Sequence, residues 1–174
     1  MKKIIYLLLL VSFVFTACKK EQGCTDSMAT NYNGDAEEDD GSCLFSIVGG
    51  TWTTQSIAYN GTMTVSMMGI PVLDSTINYI ETNSDSLDPY KLKFEENSSY
   101  TEYNQSDVAI EAGTWSLSGG QLTVNRPDTI LVLTVNSINK LDATMTISFE
   151  ESGSDGGVNY EIDLTQTMYL NREY

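Results

Sequence analysis

The sequence LDATMTISFE, residues 141–150, decides the fold of the chain, because apolar and polar side chains alternate at every position. Successive side chains of an extended strand point to opposite faces, so this alternation predicts a strand with one apolar face. A helix would spread the same residues around its circumference. The apolar face of the strand carries Leu141, Ala143, Met145, Ile147 and Phe149.

The same two-residue period recurs along most of the chain after residue 46. Residues 160–170 repeat it, with Gln166 as the polar interruption of the apolar face. Gly119-Gly120 is a tight hairpin signal, while the polar runs 95–98 and 152–157 predict longer turns. Shorter strands are predicted around Leu92 and Phe94, Tyr100 to Tyr103, Trp115 and Leu117, Leu122 and Val124, and Leu131, Leu133 and Val135.

Successive hairpins predict an antiparallel meander, and no segment after Cys43 shows the apolar stripe of an amphipathic helix. A sheet with one apolar face must hide that face by closing on itself or by packing on a second sheet. The sequence therefore predicts an all-β fold for residues 46–174.

Two tryptophan motifs identify a family that this region resembles. Gly50-Thr51-Trp52, Tyr90-Lys91-Leu92-Lys93-Phe94 and the run GTWSLSGGQL, residues 113–122, are similar to the lipocalin-like lipoproteins of Bacteroidota. The resemblance implies an eight-stranded up-and-down barrel with room for an interior cavity. In such a barrel Trp52 plugs the closed end or is an ordinary buried aromatic residue.

The segment from Thr62 to Asp88 departs from that pattern, because it is longer and more apolar than a hairpin arm requires. It predicts a strand pair or a flexible lip over the barrel mouth. Methionine adapts to irregular shapes, so its methionines are candidates for contacting an apolar ligand or partner. The alternative is that these side chains fill the barrel. The candidate ligand contacts are Met63, Met67, Met68, Trp52 and Trp115.

The amino terminus has the pattern of a secretion signal. Lys2 and Lys3 precede an apolar run that ends at Phe15, and Thr16-Ala17 precede Cys18. The run is shorter than the about 20 residues that span a bilayer as a helix. Residues 15–18 resemble a lipobox, which implies removal of residues 1–17 and acylation of Cys18. We expect attachment to the outer membrane through these acyl chains, on its periplasmic or its external face.

Residues 18–45 form a separate acidic segment. With Cys18 lipidated, Cys24 and Cys43 remain as an even pair in an oxidising compartment and are predicted to form a disulfide. The segment resembles a short cysteine-bounded module of secreted Bacteroidota proteins. Asp35, Glu37 and Asp39 alternate like oxygen ligands, so a calcium site is one interpretation. A solvated acidic turn held by its disulfide is the other.

Composition excludes several functions. The chain has no histidine, so it supplies no Ser-His-Asp or Cys-His catalytic unit. Its formal charge of -15 repels phosphate backbones and argues against nucleic acid as a partner. The 24 acidic residues guarantee carboxylate pairs by chance, so they do not indicate a glycoside hydrolase. We expect no enzymatic activity and no cofactor other than calcium.

Four Asp-Ser or Asp-Thr steps, three followed by an apolar residue and one by Thr76, resemble the O-glycosylation motif of exported Bacteroidota proteins. Turns are rich in the same residue types, which is the alternative explanation. The candidate glycosylation sites are Ser27, Ser75, Ser86 and Thr129.

These patterns lead to one functional expectation and two rivals. The first is a lipid-anchored, non-catalytic barrel that binds a small apolar ligand or an envelope protein. The second is a structural or adhesive surface module whose barrel is filled by its own side chains. The third, a carboxylate hydrolase, requires two buried acids that face one cleft.

Overall fold

A computed structural model describes residues 19–174 of the chain. The predicted signal peptide and the lipidation site Cys18 lie outside the described residues. The described residues divide into two compact units, of which the first ends at Leu44 and the second spans Phe45–Tyr174. No helix within residues 19–174 has the length and the apolar character that crossing a membrane requires.

The first unit is small and built from turns. Its strands β1 (Gln22–Gly23) and β2 (Glu38–Asp39) pair in parallel. The predicted disulfide between Cys24 and Cys43 is confirmed. Carboxylates of the acidic turn accept hydrogen bonds from backbone N–H groups two residues further on. Asp39 Oδ1 accepts one from Gly41 N at 2.9 Å, and Asp40 Oδ1 accepts one from Ser42 N at 2.9 Å. A segment with so few buried apolar side chains depends on the disulfide and on these hydrogen bonds.

The second unit is an antiparallel β-barrel. One short 3-10 turn, Ser84–Ser86, interrupts its strands. Each barrel strand pairs with the next along the chain, except that β4 lies outside the barrel and β3 pairs with β5. Pairing of β11 with β3 closes the barrel of eight strands. The strands are β3 (Thr51–Met67), β4 (Ile70–Glu81), β5 (Lys91–Phe94), β6 (Ser99–Tyr103), β7 (Ala109–Ser118), β8 (Gln121–Asn125), β9 (Ile130–Ile138), β10 (Asp142–Asp155) and β11 (Val158–Glu173).

This architecture confirms the predicted all-β, up-and-down barrel. The inward residues of the alternating strands form one core, in which Trp52, Phe94, Leu122 and Met145 are almost completely buried. Gln166 on β11 faces inward between apolar neighbours, as the period of its strand predicts.

Trp52 fills the end of the barrel where β3 begins. Its indole is fully buried, and its Nε1 donates a hydrogen bond to the carbonyl of Ile47 at 2.7 Å. The guanidinium of Arg172 lies over the indole, with Cζ 4.1 Å from the ring centroid. Arg172 also donates a hydrogen bond to the carbonyl of Ser46. An aromatic side chain, a cation and a loop thus close this end together.

The opposite end is open because four strands extend beyond the rest. Strand β3 has 17 residues and β11 has 16, whereas β5 has 4. Strand β9 pairs with β10 only as far as Thr146, but β10 continues beside β11 to Asp155. Residues 60–78 and 148–165 therefore rise above the barrel as a four-stranded sheet, β4-β3-β11-β10, which we call the projecting sheet.

Two sequence predictions concern the projecting sheet: the turn at residues 152–157 and the segment from Thr62 to Asp88. The predicted turn over residues 152–157 is shorter, because β10 runs through Asp155 and only Gly156-Gly157 turn. A Cβ at Gly153 would lie 2.5 Å from the Tyr160 ring, so this glycine makes room for a cross-strand aromatic side chain. The segment from Thr62 to Asp88 forms the strand pair that was one of its two predicted structures.

Candidate ligand-binding site

The barrel contains a cavity of about 250 Å³. Most of its wall is apolar, because the inward positions of β5, β8, β9, β10 and β11 carry aliphatic and aromatic side chains. Two of its lining residues, Asp88 and Phe149, are exposed, so the cavity reaches solvent at the end where the projecting sheet begins. The lining residues are Asp88, Pro89, Leu92, Phe94, Tyr100, Leu122, Val124, Arg126, Leu131, Leu133, Ile147, Phe149, Gln166 and Met168.

A polar cluster of Tyr100, Glu102 and Arg126 interrupts this apolar wall. Tyr100 and Glu102 are alternate residues of β6, so both point into the barrel, and Glu102 is only 3% exposed. Arg126 follows the last residue of β8. The Tyr100 hydroxyl and Arg126 Nη2 both donate hydrogen bonds to Glu102 Oε1. Two donors on one oxygen compensate the buried carboxylate, which would otherwise be costly.

Burial dominates the electrostatics of the cluster. It raises the pKa of Glu102, and the negative charges of Asp88 and Glu111 act in the same direction, while Tyr100 and Arg126 oppose them. Burial also raises the pKa of Tyr100 above its ordinary range, with the Glu102 charge as the second cause. Tyr100 therefore remains a neutral hydroxyl at physiological pH.

The guanidinium of Arg126 keeps unused donors. Its side chain is 21% exposed, and its Nε is buried without a hydrogen-bond partner. A guanidinium carries five N–H donors, and its recorded hydrogen bond to Glu102 engages Nη2 alone. The part of the side chain that lines the cavity can therefore donate to an oxygen atom placed there.

The projecting sheet continues the cavity wall upwards. The side chains of directly paired residues on neighbouring strands lie on the same face of a sheet. Ile147, Phe149 and Gln166 line the cavity, so they share a face with the alternate residues of β10 and β11 that continue away from the barrel. Tyr59 and Tyr79 stack on this face with ring centroids 4.7 Å apart. The opposite face is rich in threonine and acidic residues. Ser75 and Glu151 are polar residues on the same face as the stacked tyrosines, and the further residues of this face are Gly61, Met63, Val65, Leu73, Ile77, Tyr160, Ile162 and Leu164.

The predicted ligand contacts are placed elsewhere, because none of the five lines the cavity. Met63 is half-buried on the apolar face of the projecting sheet, and Met67 and Met68 lie at its tip, 48% and 84% exposed. Trp52 closes the opposite end of the barrel. Trp115 is half-buried against Phe94, with ring centroids 5.7 Å apart, and its Nε1 donates to the carbonyl of Glu95 at 3.1 Å.

The candidate calcium ligands are not brought together. Within residues 19–174, no three His, Cys, Asp or Glu side chains lie close enough to hold a metal ion, and this includes Asp35, Glu37 and Asp39. All three are exposed, and the short strand β2 holds Glu38 and Asp39 in extended backbone instead of a chelating loop. The acidic segment is thus organised by turns and the disulfide.

The candidate glycosylation sites differ in exposure. Ser27, Ser86 and Thr129 are exposed, and modification there stays a prediction. Ser75 is half-buried and lies opposite Met63 on the apolar face of the projecting sheet, so a glycan at this position would cover that face.

Sequence reasoning missed the polar cluster, although a signal was present. Glu102 is two residues from Tyr100 in the same strand, so both side chains point into the barrel. A carboxylate at such a position is buried and requires a partner. The chain has two arginines, Arg126 and Arg172, and either was available as that partner. Which of them reaches Glu102 depends on strand register, which the composition does not reveal.

Comparison with known proteins supplies a family. No curated protein matches this chain, and no solved structure does either. A protein-family model, described as a lipocalin-like domain, matches residues 47–169. That range covers most of the chain and nearly the whole barrel, from the loop before Trp52 to Tyr169 in β11. The chain therefore belongs to the family of lipocalin-like domains.

Proposed function

We propose that this protein binds a small apolar ligand in its barrel and performs no catalysis. The observation that carries the proposal is the cavity of about 250 Å³ with a predominantly aliphatic and aromatic wall. This volume is just below the about 300–1,000 Å³ that are usual for pockets of drug-sized ligands. The cavity therefore suits a small ligand or the end of a longer apolar chain.

The lining side chains give such a ligand a favourable environment. Burial of each methylene group contributes about 0.8 kcal/mol, and Leu92, Phe94, Leu122 and Met168 offer contacts on several sides. The apolar face of the projecting sheet stands directly above the opening, so a chain that exceeds the cavity has an apolar surface to follow. Barrel and projecting sheet together thus form one continuous apolar path.

A structural or adhesive role is the second candidate, and the exposed side chains of β4 favour it. Ile70, Val72, Tyr79 and Ile80 are each more than half exposed. Because β4 is the edge strand of its sheet, these side chains border an unpaired strand edge on which another protein can pair. This candidate does not require the cavity to be occupied, so a ligand-binding measurement separates the two roles.

Attachment to the outer membrane through an acylated Cys18 is part of the proposal. Its support is the sequence of residues 2–18, with two lysines, an apolar run and small residues before the cysteine. We expect intact-mass measurement of the protein from its native membrane to show the mass of residues 18–174 plus acyl chains. The same protein with Cys18→Ser is expected to leave the membrane fraction.

Binding is tested with Nile red, an uncharged fluorescent probe, and two tryptophan substitutions at neighbouring positions. Leu131 lines the cavity, whereas Val132 is 51% exposed on the outer surface of β9. Leu131→Trp is expected to fill the cavity and weaken Nile red binding at least tenfold. Val132→Trp is expected to leave binding unchanged. Equal binding by both variants, or no binding by the unmodified protein, would exclude the cavity as the binding site.

A further inference from the structure

Four polar side chains interrupt the apolar wall of the cavity. Arg126 and Tyr100 border the cavity, and Gln166 brings an uncharged amide into the same wall. Asp88 lies at the rim, where it is exposed. An apolar ligand that enters this opening places some of its atoms beside these groups, so they contribute to which ligands are accepted.

The charge at this position is negative despite Arg126. The guanidinium is paired with Glu102, so the two charges cancel at close range. Asp88 and Glu111 act on Glu102 as further negative charges, and the whole chain has a formal charge of -15. A carboxylate in the cavity would lose hydration and meet this negative field with no uncompensated cation to receive it.

The hydrogen-bond donors in the cavity wall favour a ligand that carries an acceptor oxygen. Arg126 retains N–H donors on its two Nη atoms beyond the one directed to Glu102. The Gln166 amide can donate as well. A carbonyl or ether oxygen accepts from such donors without bringing a charge, so its hydrogen bonds are not offset by repulsion from Glu102 and Asp88.

Building on the ligand-binding role proposed above, we propose that the cavity selects apolar molecules with an uncharged oxygen acceptor, such as an ester or a ketone, and rejects the corresponding carboxylates. Arg126 is the specificity-determining residue, since it donates to the ligand oxygen while it remains paired with Glu102. Gln166 on β11 contributes a second hydrogen-bond donor to the lining of the cavity. The aliphatic part of the ligand lies among the apolar residues deeper in the barrel.

The test compares three ligands with the same alkyl length, namely methyl decanoate, decanoate and decane, in their ability to displace Nile red at pH 7. We expect methyl decanoate to bind about tenfold more tightly than decanoate, because the carboxylate loses its hydration and meets the negative charges of Glu102 and Asp88. Decane is expected to bind more weakly than the ester, because it leaves the donors without an acceptor.

Arg126→Gln and Gln166→Leu test which residue causes the ester preference, and Lys93→Gln is the control. Arg126→Gln is expected to remove most of the advantage of methyl decanoate over decane. Lys93→Gln is the matched control, because it removes one positive charge from an exposed ion pair with Glu95, at 2.7 Å, without altering the cavity wall. It is expected to leave the ligand order unchanged. Gln166→Leu leaves the Arg126–Glu102 pair intact and is expected to reduce the ester preference by a smaller factor.

The outcomes separate this inference from the proposed function. Nile red binding with decanoate equal to or tighter than methyl decanoate overturns the selectivity and leaves the ligand-binding role in place. Failure of Nile red and of all three ligands to bind overturns both. If Arg126→Gln does not fold, the ligand order on the unmodified protein and the Gln166→Leu result still decide the question.

Discussion

The two arginines of the chain lie at opposite ends of one barrel and have opposite consequences. Arg172 is 7% exposed, covers the Trp52 ring and donates to the Ser46 carbonyl, so it completes a filled end. Arg126 pairs with Glu102, and its side chain lines the cavity. The same side chain therefore seals the barrel in one place and leaves a polar, accessible wall in the other.

The difference arises from what each arginine packs against. A buried indole offers a large flat surface and no charge, so Arg172 adds dispersion and cation–π attraction over its whole area. Glu102 offers a point charge, so Arg126 is fixed at one oxygen, and the surrounding aliphatic side chains do not fill the space beside it. We expect the closed end to determine stability and the open end to determine recognition.

The largest test removes the aromatic plug. Trp52→Ala takes away a fully buried side chain together with its hydrogen bond to Ile47 and its stacking with Arg172. We expect a loss of about 3–5 kcal/mol in the free energy of unfolding, measured by urea denaturation. Trp115→Ala is the matched comparison and is expected to cost clearly less, because Trp115 is half-buried. Equal losses would show that the complete burial of Trp52 contributes no more to stability than the partial burial of Trp115.

The next test separates charge from hydrogen bonding in the open end. Glu102→Leu removes the acceptor of both the Tyr100 hydroxyl and Arg126, and it leaves a buried cation unpaired. We expect it to lower the free energy of unfolding by about 2–3 kcal/mol. Glu102→Gln retains a carbonyl oxygen that accepts both hydrogen bonds, so its expected loss is below about 1 kcal/mol. A Glu102→Gln protein as unstable as Glu102→Leu would refute a hydrogen-bonding role for the carboxylate.

The pH dependence of stability follows from the raised pKa of Glu102, whose main cause is burial. Between the pKa of the unfolded chain and the higher pKa of the folded state, the folded protein binds more protons, so this group favours folding increasingly as the pH falls. Glu102→Gln has no such titration. The stability of the unmodified protein relative to Glu102→Gln is therefore expected to increase from neutral pH into the acidic range. A constant difference across a urea-denaturation series in pH would contradict the shift.

The alternation of residues 141–150 and 160–170 predicted the fold because strand period and burial are local properties. The same reasoning placed Gln166 inward, where it lines the cavity. It misjudged residues 152–157, since their glycine and serine content is typical of turns, whereas Gly153 continues the strand under Tyr160. The meeting of Glu102 with Arg126, 24 positions apart, depends on barrel closure and register, which no local pattern contains.

The methionines show the same limit. The adaptability of methionine made Met63, Met67 and Met68 candidates for contact with an apolar ligand or a partner, and the length of β3 carries Met67 and Met68 beyond the barrel to the tip of the projecting sheet. Strand length is set by pairing with β11 over the entire strand, a long-range property. A residue type suited to a cavity therefore does not establish that the residue reaches one.

The smallest expected effect is a gain, at the tip of the projecting sheet. Met68 and Gly69 form the hairpin turn with φ of 51° and 81°, the left-handed region that a type I′ turn requires and that methionine adopts at a cost. Met68→Asn supplies the residue preferred before glycine in such turns, so the free energy of unfolding is expected to increase by about 0.5 kcal/mol. Met68 does not line the cavity, so Nile red affinity is expected to stay the same. Weaker binding in this variant would instead make the tip part of the recognition surface, and the open end of the barrel would then extend along the whole projecting sheet.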